Sequence, residues 1–406
     1  MPDTLYRYWN DARRYDYEAL FSPDPIEQLI PLPKDVQIVL AHLIEQLGTY
    51  DWASLSDDVL GSIFEHLIPP TEQMLLGQFY TPRPVADLLV AFSLDGERPL
   101  VLDPGCGSGT FLMSAYSFLA HQSRLSHKQL LSILWGFDIS PFAAELAVIN
   151  LYRQDMAEYE NFPRIVSGNF FERLPGQTID FPPPRASKGN RKVPVPVPKF
   201  DAIVGNPPYL RSQNQDDLDA AYREKLYSCA ARAGFRASTK SDLFAFFIYH
   251  ATQFMRSGSR LGFVTPASWL TADYAMSLQE AFLSKIRLIA VIGSNAESFF
   301  PQVDVNAVLL VAEVSDDLDS AEPIRFITLK KTLGQLTDGV GDYWDRLISV
   351  VTRLETTMES MEDSWFRVKL VDRSVERAAL SRNKGSPRNW SKYLRAPLSY
   401  YQIFES

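Results

Sequence analysis

Asn206-Pro207-Pro208-Tyr209 is the stretch of this chain whose groups are best suited to chemistry. It follows Phe200-Asp201-Ala202-Ile203-Val204-Gly205, a short apolar, β-prone run of the kind buried in an α/β sheet. Neither proline carries a backbone N–H and both have a fixed φ, so the main chain here is stiff and offers bare carbonyls. An amide, a rigid carbonyl-bearing turn and an aromatic face thus meet at the carboxyl end of a strand, where open α/β sheets place their ligands. The group suits a planar ring bearing an exocyclic NH2. The Asn206 side-chain oxygen and the Pro207 carbonyl can each accept one amino hydrogen while Tyr209 stacks on the ring. Holding both hydrogens draws the nitrogen lone pair out of conjugation and aims it at an electrophile. The plain alternative is a strand end closed by a Pro-Pro turn, with an Asn that caps it.

Three further stretches can hold the donor of that electrophile. Val101-Leu102-Asp103-Pro104-Gly105-Cys106-Gly107-Ser108-Gly109-Thr110 reads as a strand, a glycine-rich turn and a helix start. Gly105, Gly107 and Gly109 permit positive φ and close backbone approach. The dinucleotide fingerprint spaces its glycines differently and holds a pyrophosphate. Here the turn follows the carboxylate of Asp103, which favours a cationic ligand, and S-adenosylmethionine with its ammonium and sulfonium fits. Leu134 to Ser140 is a second strand ending in an acid, Asp138, placed to take two ribose hydroxyls with Ile139 against the adenine ring. Ile165 to Phe171 is a third, whose Asn169 can pair with the adenine edge and whose Phe170 can stack; a surface turn is its plain alternative.

The elements that must position these residues are legible as well. Gly77 to Pro84 reads as a loop with Thr81 as a helix N-cap, followed by an amphipathic helix over Val85–Phe92. Pro141 to Leu151 reads as a helix, residues 172–199 as a proline-rich, basic exposed loop that can touch DNA phosphates or merely solubilise, and 210–240 as a helical flap beside the site. A helix from Lys240 to about Met255, strands at Arg260–Pro266 and Ile286–Ile292, and a turn from Phe299 entering a last strand at Val305–Val311 complete the set. An aromatic at that turn, Phe300, can lean over the same cleft as Tyr209. Beyond residue 315 the pattern gives a strand at Ile324–Leu329, a helix at Tyr343–Leu354, a strand near Trp365–Leu370 and a basic, aromatic tail suited to docking or phosphate contact.

Composition bounds the reading. A chain of 406 residues with 46% hydrophobic content has room for two or three domains. The net charge of −9 belongs to residues 1–75, which hold 13 acids and 4 bases and carry helical patterns at Val36–Leu47 and from Ser56 to Leu67; the remainder balances at 36 of each sign. That acidic region is expected to face solvent or a protein partner. Two cysteines, Cys106 and Cys229, far apart in sequence, argue for a reducing, cytoplasmic location and against a disulfide framework or zinc site. The five histidines show no metal-ligand spacing, and neither a membrane span nor a signal peptide is evident.

Together these segments resemble the N6-adenine DNA methyltransferases of the gamma order, which include modification subunits of type I restriction systems and related single-chain enzymes. The likeness covers roughly residues 56 to 313, through Phe79-Tyr80-Thr81-Pro82, Asp103 to Gly109, Asp138 and Asn206 to Tyr209, with a weaker one at Trp390–Pro397. It implies a Rossmann-like class I methyltransferase sheet at 76–314, between a helical region at 1–75 and an extension at 315–406. It implies that Tyr80, Thr81, Pro82, Asp103, Gly105, Gly107, Gly109, Asp138, Ile139, Asn169 and Phe170 hold S-adenosylmethionine. Asn206, Pro207 and Pro208 would then present acceptors to the amino group, and Tyr209 and Phe300 would clamp an adenine flipped out of double-stranded DNA. Asn169 departs from the acid common at its place in the family. Target recognition is expected from a partner such as a specificity subunit, or from a missing domain, within a restriction-modification or phage-defence system. The rival readings are methylation of a glutamine amide or an RNA guanine amino group, and a non-catalytic cofactor- and DNA-binding subunit.

Overall fold

The computed structural model describes residues 33–47, 49, 81–155, 163–181, 192–209, 219–272, 274–301, 306–318, 322–382 and 386–404. The helix expected from Ser56 and the residues Phe79 and Tyr80 lie outside the described residues. The strands are β1 (Val101–Asp103), β2 (Leu134–Asp138), β3 (Arg164–Ser167), β4 (Thr178–Phe181), β5 (Val193–Pro196), β6 (Phe200–Gly205), β7 (Met255–Pro266), β8 (Arg287–Ser294), β9 (Ala307–Glu313), β10 (Ile324–Leu329), β11 (Met361–Glu362) and β12 (Phe366–Val371). The helices are α1 (Lys34–Leu47), α2 (Arg83–Ser93), α3 (Thr110–Gln122), α4 (His127–Ile133), α5 (Pro141–Tyr152), α6 (Ala220–Arg232), α7 (Leu243–Ala251), α8 (Ala275–Ser284), α9 (Leu333–Leu336), α10 (Tyr343–Thr356), α11 (Arg373–Arg382), α12 (Ser391–Arg395) and α13 (Leu398–Phe404). Among the described residues no helix is long and apolar enough to cross a membrane.

Ten strands form one sheet in the order β11-β12-β10-β8-β9-β7-β6-β1-β2-β3. Strands β3, β2, β1, β6 and β7 are mutually parallel. Strand β9 runs antiparallel between β7 and β8. The order β3-β2-β1-β6-β7-β9-β8 with β9 reversed is the Rossmann-like sheet expected from the sequence, and β12 is reversed as well, against β10. Both faces are covered, so the central strands read as unbroken apolar runs; all seven residues of β9 are buried. Its side chains alternate between two cores. Ala307, Leu309 and Val311 face the cluster that holds α2, α3 and α10. Val308, Leu310 and Ala312 face the cluster that holds α7, α8 and Trp390. Helix α10 packs by its Trp344, Leu347, Val351 and Leu354, all on one stripe. Burying each such side chain stabilises by about 1.5–3 kcal/mol.

Two regions depart from the sequence expectation. Residues 178–181 and 193–196 pair as a separate antiparallel ribbon, β4 with β5, where a structureless loop is expected. Pro194 and Pro196 are tolerated because a two-stranded ribbon leaves one side of β5 without a ladder. Residues beyond 315 also do not fold apart. Strand β10 pairs parallel to β8, and β12 pairs with β10, so the extension lengthens the same sheet.

The aromatic part of the basic, aromatic tail is core: Trp390, Tyr393 and Leu394 are buried, while Asn389 and Arg395 stay exposed. Trp390 is fully buried, and its indole N–H donates to Glu376 Oε2 at 2.7 Å. Tyr393 donates to Glu376 Oε1 at 2.6 Å, and Arg388 pairs with Glu376 at 3.2 Å. Burial raises the Glu376 pKa, and the hydrogen bonds from Arg388, Tyr393 and Trp390 outweigh it and hold the carboxyl below its ordinary value. The tail's aromatic content marks packing against Trp269 and Phe326, with Trp390 5.9 Å from each ring.

Candidate active site

Strands β6, β1 and β2 are adjacent and parallel, so Gly205, Asp103 and Asp138 arrive together at one edge of the sheet. Gly205 touches Asp103 closely: a Cβ built on it would stand 2.7 Å from Asp103 Oδ1. Only glycine lets the strand that leads to Asn206 lie beside this carboxylate. The two halves of the site read from the sequence are therefore one place.

The glycine turn is tied to both carboxylates. Gly105 N–H donates to Asp103 Oδ1 at 3.1 Å, and Gly107 N–H donates to Asp138 Oδ2 at 2.8 Å. Cys106 N–H reaches the Phe137 carbonyl at 2.9 Å, and Asn150 on α5 holds the Ser108 carbonyl at 2.9 Å. Gly107 and Gly109 have φ of +53° and +92°, the left-handed region that penalises a Cβ. Among the described residues a Cβ on Gly107 would meet nothing within 4 Å. The other Asp138 oxygen accepts from Ser140 N–H at 2.8 Å. Each carboxylate oxygen keeps a second lone pair, so Asp138 can still receive hydroxyl donors.

Burial sets the electrostatics. It pushes Asp103 well above the ordinary carboxylate range; the Gly105 N–H opposes this and the Asp138 charge adds to it. Burial raises Asp138 too, against the N–H groups of Ser140 and Gly107. Cys106 is pushed well up by burial and then by both carboxylates, which leaves an unreactive thiol. A buried acidic pair with a glycine turn beside it suits a cationic ligand, whose charge would offset that desolvation.

At the end of β6, the Tyr209 hydroxyl donates to Asn206 Oδ1 at 2.7 Å. Pro207 is buried, while Asn206, Pro208 and Tyr209 are half-buried. Burial, then the Asp242 charge, raises the Tyr209 phenol well above its usual value, so it remains a donor. Strand β9 begins at Ala307 opposite Pro266, the last residue of β7, and so brings Phe300 towards this same edge. Phe300 itself is buried with Phe299 in the core.

The third stretch behaves differently from its expected role. Gly168 N–H donates to the Asp138 carbonyl at 2.7 Å, which places Asn169 beside Asp138. Asn169 Oδ1 accepts from Phe171 N–H at 3.0 Å, and its side chain also bonds Tyr222 of α6. The Phe170 ring is buried and stacked on Phe247 at 5.6 Å, so it is core where a cofactor-facing ring is expected. An apolar ring next to Phe171 gains more from burial in this aromatic cluster than from the surface. The neighbouring side chain that does face outward is Ile139, 66% exposed.

Thr81 is buried, and Pro82, not Thr81, occupies the N-cap of α2. Arg83 and Asp87, which the sequence reading passes over, anchor this helix to α3. Arg83 Nε donates to Asp87 Oδ1 at 2.8 Å and Nη2 donates to Ser117 at 2.8 Å. Ser114 Oγ and Tyr343 OH also donate to Asp87, at 2.5 and 3.0 Å. Their i, i+4 spacing on a helix is the signal that could have found the first pair. Farther off, His121 on α3 lies 2.9 Å from Asp345 and 3.4 Å from Asp342, a surface ion pair between elements distant in sequence.

The chain is similar to several known proteins. It is 24% identical over 269 residues to Type II methyltransferase M.XamI of Xanthomonas campestris pv. amaranthicola, covering 65% of this chain and 44% of that protein. It is 33% identical over 158 residues to the Type I restriction enzyme MjaIX methylase subunit of Methanocaldococcus jannaschii, covering 34% and 28% of the two. The chain thus spans less than half the length of these curated relatives. Among solved structures, the type I restriction-modification system methyltransferase subunit from Streptococcus thermophilus superposes with TM-score 0.59 at 19% identity, over 97% of this chain and 77% of that one. A modification subunit of a putative type I restriction enzyme from Vibrio vulnificus YJ016 superposes with TM-score 0.52 at 17% identity, over 82% of this chain and 64% of that one. A family model described as N-6 DNA Methylase matches residues 55–338, which include Asp103, Asp138 and Asn206–Tyr209, and the chain belongs to that family.

Proposed function

We propose that this chain transfers a methyl group from S-adenosylmethionine to the N6 amino group of an adenine flipped out of double-stranded DNA, as the modification component of a restriction-modification system. The observation that carries the reading is the contact of Gly205 with Asp103, which sets the Asn206–Tyr209 acceptors against the carboxylate-bearing glycine turn. Membership of the N-6 DNA Methylase family supports the reaction class.

In this reading Asp103 faces the ammonium end, Asp138 the ribose, Ile139 the adenine of the cofactor, and Gly105, Gly107 and Gly109 allow close approach. The family likeness assigns Tyr80, Thr81 and Pro82 to the same cofactor. When bound, S-adenosylmethionine would supply an electrophilic methyl group: the N6 lone pair would form the new bond as the methyl–sulfur bond breaks with its pair on sulfur, and one N6 proton would then pass to water. Asn206 Oδ1 and the Pro207 carbonyl accept the two amino hydrogens and stabilise the positive charge that grows on nitrogen. Pro208 keeps those acceptors rigid, and Tyr209 holds the base so that alignment does most of the work, while Phe300, buried in the core, supports the site from behind. Sequence recognition comes from a partner subunit.

The test is incubation with S-adenosylmethionine and mixed-sequence DNA, with and without a specificity subunit, followed by nucleoside digestion and detection of N6-methyladenine. Asn206→Ala is expected to abolish product while cofactor binding persists. Methylation of a glutamine amide or of RNA guanine, or binding without turnover, would replace this reading.

A further inference from the structure

His250 is fully buried at the last turn of α7, outside every group assigned above to cofactor or substrate. Its Nε2 lies 3.1 Å from the Phe170 carbonyl and 3.1 Å from the Arg173 carbonyl. Two carbonyl acceptors require a hydrogen on Nε2, so Nδ1 is the bare nitrogen, and it accepts from the Gln253 amide at 2.8 Å. Burial lowers the imidazole pKa to about 4, against the opposing effect of those two carbonyls, so the ring is neutral and this tautomer persists at physiological pH.

The turn that His250 grips is the one that begins at Asn169. It is fixed on one side by Gly168 N–H on the Asp138 carbonyl at 2.7 Å. It is fixed on the other by His250, whose ring also packs edge-on against Phe170 at 4.7 Å. Between these two anchors, Arg173 N–H on the Phe170 carbonyl closes the turn at 2.9 Å. Within it, Gly168 and Asn169 are the residues next to Asp138. A phenylalanine would fill the His250 space equally well but would take this donor from the Arg173 carbonyl and leave the Phe170 carbonyl with the Arg173 N–H.

We propose that His250 is a positioning residue for the adenosine end of the cofactor site, acting through residues 168–173 on the placement of Asn169 beside Asp138. The inference rests on the reading of that site as an S-adenosylmethionine site. The two carbonyls fix the tautomer, Gln253 satisfies the bare Nδ1, and His250 in turn holds residues 168–173 in place.

The experiment compares the full-length chain with His250→Phe and His250→Gln, the latter placing an amide N–H where Nε2 stands. Calorimetric titration with S-adenosylmethionine and with adenosine alone is paired with amide hydrogen exchange over 168–173, below the melting temperature of each variant. His250→Phe is expected to weaken both ligands by about ten-fold or more and to speed exchange at 168–173. His250→Gln is expected to recover both to within about three-fold of wild type. Unchanged exchange in His250→Phe, or wild-type affinity in the folded fraction, overturns the proposal. Failure of the wild-type chain to bind either ligand, with exchange still sensitive to His250, overturns the cofactor reading and this inference together.

Discussion

The hydroxyl of Tyr209 donates to the side-chain oxygen of Asn206 across 2.7 Å. The oxygen assigned to the amino group of the base is thus engaged by the residue assigned to its face. A base that enters must displace one hydrogen bond before it makes another, so the net gain from that contact is small. Tyr209→Phe keeps the ring and frees the acceptor. Its KM for DNA is expected to equal or fall below wild type, with kcat retained to within about three-fold. Tyr209→Ala loses base stacking, about 1–3 kcal/mol, and kcat/KM for DNA should fall by the corresponding factor. Steady-state methylation kinetics separate the two; equal losses would show that the hydroxyl itself is needed.

Glycine is required at Gly205 and at Gly107 for different reasons. Gly205→Ala forces a Cβ to 2.7 Å from Asp103 Oδ1. The expected cost is about 1–3 kcal/mol in stability, with loss of cofactor affinity as Asp103 shifts. Gly107→Ala meets no atom of the described residues within 4 Å and suffers only its positive φ. That strain is about 1–2 kcal/mol. Thermal melting and cofactor titration of both variants check the contrast.

Asp103 gives a pH dependence whose sign follows from burial, its largest influence, with the Gly105 N–H opposing and Asp138 adding to the rise. The folded chain binds this proton more tightly than the unfolded chain does. Its contribution to stability is therefore full below the unfolded value, roughly 3.9, and is lost as pH rises through the raised folded pKa. Melting temperature should fall over that window, and Asp103→Asn should flatten the fall. A cationic ligand offsets the burial cost of the carboxylate, so the thermal shift caused by S-adenosylmethionine should grow as pH rises across the same window.

Glu376 supports the far side of the sheet. Glu376→Ala leaves Trp390, Tyr393 and Arg388 without their shared acceptor. A loss of about 2–4 kcal/mol is expected in urea denaturation, with cofactor affinity of the folded chain unchanged. Its pH sign is opposite to that of Asp103. Burial raises Glu376, the three hydrogen bonds outweigh burial, and the depressed pKa gives stability that is lost as pH falls through it.

Much of this was legible before any coordinates. Strands β1, β2, β6 and β9 announce themselves as apolar runs ended by a glycine turn, an acid or a proline pair, because burial on both faces leaves no polar alternation to confuse them. The meeting of Asp103, Asp138 and Asn206 at one edge follows once those strands are parallel neighbours. Less was legible where burial depends on partners distant in sequence. Trp390 and Arg388 read as a surface tail because Glu376, their partner, sits on α11, a helix with too few apolar residues to be seen. Phe170 reads as a ligand platform because the aromatic cluster of Phe247, His250 and Phe254 that encloses it comes from α7 and the turn after it. His250 looks like an ordinary core histidine until the carbonyls it faces are known.

Strand β9 meets the catalytic edge with its first residue, whereas β1, β2, β6 and β7 meet it with their last. The two walls of the cleft therefore respond unequally to changes in chain length. Residues added ahead of β6 can be absorbed before Asn206 is reached. One residue added inside β9 exchanges its side chains between the two cores. In the proposed site, 205–209 is the wall that β6 fixes from behind, and Ala307 is where the opposite wall enters the sheet.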